Sequence, residues 1–162
     1  MLKMTLAELE AIRLECLSLV NQRSFVSAAV AVVPIPGLDV GADVAIMTRM
    51  IDLINQKFQL TAQDVGRLDP KTQQRILVIV SSLGSTLIGK YLSKELIVLA
   101  LKRVGVRMAS KQAAKFVPLL GSAIAAGLSY GAMRWLGNAH IEDCYQVLKR
   151  AIEEQERIVD VQ

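Results

Sequence analysis

The sequence predicts an all-α fold: a compact bundle of about seven helices, built as one domain over residues 1–162. Three observations lead there. Apolar residues recur at three- and four-residue spacing rather than in alternation. Hydrophobic residues make up 52% of the chain but aromatics only 4%, so Ala, Val, Leu and Ile must fill the core, which suits close helix packing. And one kind of phrase occurs twice in apolar surroundings, Val33-Pro34-Ile35-Pro36-Gly37 and Val117-Pro118-Leu119-Leu120-Gly121. Proline lacks an N–H and biases its predecessor away from the α region, so each phrase should end one helix and start the next, giving two helical hairpins.

Each element follows from local chemistry. Thr5-Leu6-Ala7-Glu8 has capping-box spacing and opens a helix with Leu6, Leu9, Ile12, Cys16 and Leu19 on one face. Ser24 is a candidate cap for a second, short helix through Val33. After Pro34, Pro36 and Gly37, Leu38 to Phe58 reads as a long helix with Val40, Val44, Met47, Ile51, Ile54 and Phe58 inward. Thr61 to Asp64 begins a short helical turn that ends near Gly66. Asp69-Pro70 joins an N-cap to a proline at the first helical position, and that helix can reach Ile88. Ser93 can cap another that runs to about Lys115. Leu119 to Trp135 is helical, with Gly137-Asn138 as its stop. Asn138 caps the last helix, which carries Ile141, Cys144, Leu148, Ile152 and Ile158 inward.

Phe116 to Met133 is 18 residues without a charge, the lower limit for a membrane span. Pro118 and Gly121 interrupt its start, and the uncharged runs Ser24 to Leu38 and Ile76 to Gly89 are shorter. Buried core helices are the expectation. The N-terminus has no signal-peptide hydrophobic region, which suggests an intracellular, cytoplasmic setting. The three uncharged runs together leave open an amphitropic protein that is also peripheral to the inner face of a membrane. Cys16 and Cys144 lie far apart, outside any metal-site spacing, and read as buried thiols.

Candidate chemistry is sparse. Gly84 to Tyr91 nearly matches a phosphate-binding loop, but Tyr91 stands where a small Mg²⁺-binding hydroxyl is required, so no nucleotide is expected. His140 is the sole histidine and reads as a surface or capping residue. Asp39 and Asp43 lie one turn apart near a helix start, where the positive helix end stabilises them, with Arg23, Arg49 or Arg134 as candidate partners. Gly127 and Gly131 form a GxxxG that admits a close helix neighbour, within one protomer or between two in a homo-oligomer. No catalytic, cofactor-binding or metal-ligating residue is assigned, and the chain does not read as an enzyme.

Charge is unevenly placed. Lys90 to Lys115 carries seven basic residues against Glu95, a net +6 within a chain of net +4. Lys102, Arg103, Arg107, Lys111 and Lys115 form a stripe on one helical face. A solvated charged face is the simpler reading; an anionic membrane surface is the sharper one, since each basic residue near acidic headgroups contributes about 1 kcal/mol. Scarce aromatics and the lack of a recognition motif argue against nucleic acid.

The phrase Val33-Pro34-Ile35-Pro36-Gly37-Leu38 followed by Asp43-Val44-Ala45-Ile46 resembles the C-terminal helical region of the immunity-related (interferon-inducible) GTPases. Lys115-Phe116-Val117-Pro118-Leu119-Leu120-Gly121-Ser122, then Ala126 to Gly131, is similar to the second hairpin of that region. A looser similarity exists to an uncharacterised helical domain found with bacterial GTPases. The GTP-binding domain of those proteins has no counterpart in this sequence, so the resemblance implies the helical fold and membrane association but not GTP hydrolysis. Two functions follow as expectations: a non-enzymatic module that associates with a membrane surface or a protein partner beside a separate GTPase, or a soluble interaction protein of the inhibitor or immunity type.

Overall fold

The computed structural model describes residues 2–31, 38–83 and 118–159. Among them the regular structure is entirely helical: α1 (Leu6–Ala31), α2 (Leu38–Lys57), the short α3 (Ala62–Gly66), α4 (Pro70–Leu83) and α5 (Pro118–Val159). The expected all-α class is therefore observed. The expected helix from Ser93 to Lys115, the first Pro/Gly corner and the extension of α4 to Ile88 lie outside the described residues.

The helix starts are fixed by side chains close in sequence. The Thr5 hydroxyl accepts from Glu8 N at 3.2 Å, and Glu8 Oε2 accepts from Thr5 N at 2.8 Å, a reciprocal capping box. These bonds hold the Glu8 carboxyl below its ordinary value, the backbone bond from Thr5 most of all. Thr61 caps α3 by accepting from Asp64 N. Asp69 caps α4, with Oδ1 accepting from Thr72 N at 3.0 Å and Oδ2 from the Thr72 hydroxyl at 2.7 Å. Helix α2 ends in a Schellman pattern: Leu60 N donates to Asn55 O and Gln59 N to Gln56 O. That ending puts Gln59 at a φ of 54°, the left-handed region that glycine usually fills.

Two expected helix boundaries are absent. Ser24 does not start a second helix, because α1 runs unbroken from Leu6 to Ala31. Its hydroxyl donates to the Val20 carbonyl at 2.7 Å, so it bonds back into the preceding turn instead of capping a new one. Nor do Gly137 and Asn138 stop α5, which continues through both for 42 residues. Gly137 serves packing: a Cβ there would lie 2.7 and 2.9 Å from the two γ-methyls of Val20 and 2.9 Å from Met50 Cε.

The chain divides into two compact units, and α1, α2 and α5 each contribute to both. In the described part of the first (residues 2–17, 52–83 and 139–159), the core takes Leu9 and Cys16 from α1, Ile54 from α2 and Phe58 from the turn that follows it. Ile76 and Ile79 come from α4, and Ile141, Cys144, Val147, Leu148, Ala151 and Ile152 from α5. The described part of the second (residues 18–31, 38–51 and 118–138) buries Val20, Met47, Met50, Ile51, Ala132, Met133 and Leu136. Of the inward set expected for α2, Met47, Ile51, Ile54 and Phe58 are buried, while the side chains of Val40 and Val44 lie outside the described residues; of that expected for α5, Ile141, Cys144, Leu148 and Ile152 are buried and Ile158 is exposed. No helix among the described residues is long and apolar enough to cross a membrane.

Candidate functional site

Where the predicted site residues fall is quickly told. Lys102, Arg103, Arg107, Lys111 and Lys115 lie outside the described residues, as do Pro34, Pro36, Gly37 and the Gly84–Tyr91 loop. Pro118 is the first residue of α5, and Gly121, Gly127 and Gly131 lie within it, so the second Pro/Gly phrase does start a helix. Asp39 and Asp43 belong to α2, but their side chains are outside the description. Of their candidate partners, Arg134 donates to Tyr130 Oη at 2.8 Å.

His140 is not a surface residue. It is fully buried in the interior of α5, and its Nε2 lies 2.9 Å from Asn55 Oδ1 on α2. Cys144, one turn further along, places Sγ 3.6 Å from the same Nε2. These are the residue types of a thiol nucleophile with a histidine base, yet the geometry serves another end. Burial pushes the Cys144 thiol well above its ordinary value and brings His140 down to about 4. Both groups are therefore held neutral, the reverse of an activated thiolate. A single nitrogen faces both neighbours, and Nδ1 is buried without a partner. The cluster is a polar pin between α2 and α5. Among the described residues no group of three or more His, Cys, Asp or Glu side chains is placed to hold a metal.

The surface is more informative. In the second half of α1 the usual polarity is reversed. Ser24 and Ser27 are fully buried, while Phe25 and Val26 are 65% and 48% exposed. Core-facing helices normally do the opposite, because burying apolar area is what stabilises them. Here the small serines allow close helix contact, and their hydroxyls are satisfied within the fold. The Phe25 ring packs at a tilt of 52° against Tyr130 of α5, with ring centroids 5.1 Å apart, and Arg134 donates to the Tyr130 hydroxyl. The chain's single tryptophan, Trp135, follows Arg134 and is 60% exposed. The runs beginning at Ser24 and Ile76, expected to form buried core helices, thus turn some large side chains outward; on α4 these are Leu77 and Val78.

A second surface feature belongs to the other unit. A groove of about 770 Å³ runs between residues 2–4, α1 and the α2–α4 connection, with Ile12, Phe58, Leu68 and Leu148 among its apolar lining. Its polar lining includes Lys3, Gln59 and Arg67, together with the capping carboxylates Glu8, Asp64 and Asp69. Sequence reasoning missed it because the groove is assembled from four separated segments. Comparison with protein-family models, curated proteins and solved structures finds no match to this chain.

Proposed function

We propose that this chain is a non-enzymatic helical module that seats on an anionic membrane surface, acting beside a separate GTPase. One observation carries the reading: the reversed polarity of α1, which keeps Ser24 and Ser27 inside and turns Phe25 and Val26 outward. Trp135 and Arg134 extend the same chemistry on α5, an aromatic beside a cation, which suits the boundary between lipid chains and headgroups. The likeness of the two Pro/Gly phrases to the helical region of immunity-related GTPases points the same way.

Magnitudes decide what such a face can do alone. Fully burying a large apolar side chain contributes about 1.5–3 kcal/mol, so partial transfer of Phe25, Val26 and Trp135 contributes roughly 3 kcal/mol in all. That is less than a single acyl chain supplies, and one acyl chain anchors only marginally. A second, electrostatic contribution is required. The stripe Lys102, Arg103, Arg107, Lys111 and Lys115 offers it at about 1 kcal/mol per residue near acidic headgroups.

Trp135 supplies the test. Its emission should shift to the blue on titration with phosphatidylserine-containing vesicles at low salt, and the protein should co-sediment with them. Phosphatidylcholine vesicles should do neither. Phe25→Ser with Trp135→Ser should abolish sedimentation, and Arg107→Glu with Lys111→Glu should weaken it. Failure to bind anionic vesicles at low salt would sink the membrane reading. A stoichiometric complex with a host protein, together with indifference to lipid, would favour the inhibitor or immunity type instead.

A further inference from the structure

We infer that the second unit seats fully only where an anionic bilayer is also loosely packed, as on a small, strongly bent vesicle. The inference rests on the membrane reading above, and its test separates the two. It is carried by two properties of the unit, the sign of its charge and an exposed helix face that has none.

The two units divide the chain's charge unequally. Ser18–Ile51 and Leu92–Asn138, the second unit, hold nine basic and three acidic residues, a net +6. The first unit holds ten basic and twelve acidic residues, a net −2. Among the described residues of the second unit, the charged side chains that stand exposed are Arg49 and Arg134, both cations. Such a unit is drawn to acidic headgroups from a Debye length away, about 10 Å at 0.1 M salt. That attraction follows the surface charge and is indifferent to how the lipids pack.

The α1 face behaves differently. Beyond Leu17 its described exposed side chains are Ser18, Asn21, Gln22, Phe25, Val26 and Ala29, and none is charged. Positions 18, 22, 25 and 29 follow at helical spacing, so they form one stripe, with 21 and 26 beside it. Nothing on this stripe holds a headgroup phosphate by charge, so it contributes only when Phe25 and Val26 leave water. Phe25 is also held in place. Its ring packs against Tyr130 with centroids 5.1 Å apart, and Arg134 donates to the Tyr130 hydroxyl at 2.8 Å. A fixed ring enters a bilayer through a gap between headgroups, and gaps are frequent in a strongly bent leaflet and rare in a flat one. Cations along the stripe would bind headgroups on either surface and erase the difference. Charge therefore selects the lipid type, and α1 selects the packing.

The test uses the whole chain and vesicles of one composition, dioleoyl phosphatidylserine with dioleoyl phosphatidylcholine, prepared at about 30 nm and about 200 nm diameter. At equal accessible lipid and low salt, flotation with the small vesicles should exceed that with the large by about fivefold or more. The blue shift of Trp135 should follow the same order. Phe25→Ser should lower binding to the small vesicles to the level of the large. Gln22→Lys with Ala29→Lys sets two cations on exposed positions of the stripe. It should leave the melting temperature unchanged, raise binding to the large vesicles and reduce the size preference to about twofold or less. Equal binding of the native chain to both sizes, or a preference that survives either variant, overturns the inference and leaves the membrane reading standing. Binding to neither size overturns both.

Discussion

Replacing Gly137 by alanine sets two effects of opposite sign against each other, and the structure says which should win. Glycine inside a helix is about 1 kcal/mol less favourable than alanine, so propensity alone makes Gly137→Ala stabilising. Packing opposes it. The new methyl would meet both γ-methyls of Val20, at 2.7 and 2.9 Å, and Met50 Cε at 2.9 Å. Met50 can swing its terminal methyl away. Val20 cannot, because a β-branched side chain in a helix has essentially one rotamer, and here both of its branches are struck. Val20, Met50 and Gly137 are buried, so the backbone itself must shift. Overpacking of this kind costs roughly 1–3 kcal/mol, which leaves a net loss of about 1 kcal/mol. Urea unfolding followed by far-UV circular dichroism would read it as a lowered midpoint. Val20→Ala removes both offending methyls, so in that background Gly137→Ala should turn stabilising, a coupling of about 2 kcal/mol between the two sites. A raised midpoint in the native background, or simple additivity of the two changes, would refute the packing account of why α5 passes through this glycine.

Three further outcomes follow from buried or strained groups. The folded His140 titrates near 4, below its ordinary 6.5, because burial disfavours the imidazolium; stability from the neutral form is complete above pH 6.5 and is lost as pH falls toward 4. Between pH 7 and 4.5 the native chain should therefore lose roughly 2 kcal/mol more unfolding free energy than His140→Gln, and equal losses would show that the ring is not held neutral. Gln59→Gly should raise stability by roughly 1 kcal/mol in the same unfolding assay, by relieving the left-handed side-chain cost at φ 54°, whereas a β-branched residue there should lower it. Cys16, pushed up to about 11 by burial, and Cys144, which burial also pushes well above its ordinary value, should both resist a thiol-reactive disulfide in the native protein and react at once in urea; a rapidly labelled native thiol would contradict their burial.

What the sequence made legible was what short-range chemistry decides. The three threonine and aspartate caps at Thr5, Thr61 and Asp69 form where their spacing placed them, because a cap and the N–H that donates to it lie within one turn. The misread positions are those where the same residue type has a local use and a distant one. Ser24 resembles a cap but bonds back to Val20. Gly137 resembles a helix stop, yet its reason lies at Val20 and Met50, far away in sequence. His140 did carry a usable signal, since it stands one turn before Cys144 and three residues after Gly137, on the stripe that Cys144 and Leu148 continue. A lone histidine on an apolar stripe needs a polar partner across the interface, and Asn55 was the group to look for.

The same reasoning separates the two surface features. A groove built from residues 2–4, α1, the α2–α4 connection and α5 leaves no trace in any one segment, because each of its walls is an ordinary cap or helix end. The outer face of α1 does leave one. From Ser24 to Ala31 the helix has no charge, and Phe25 and Val26 lie between serines at 24 and 27. An uncharged stretch can bury either set. Once Ser24 and Ser27 are inside, the helical period forces Phe25 and Val26 outward. Burying Phe25 instead would require α1 to rotate by about a quarter turn or more, which would lift Val20 away from Gly137 and Met50. The tight contact at Gly137 and the apolar exterior of α1 are thus one constraint seen from two sides. Relaxing that contact by Val20→Ala should also loosen the hold on the orientation of Phe25.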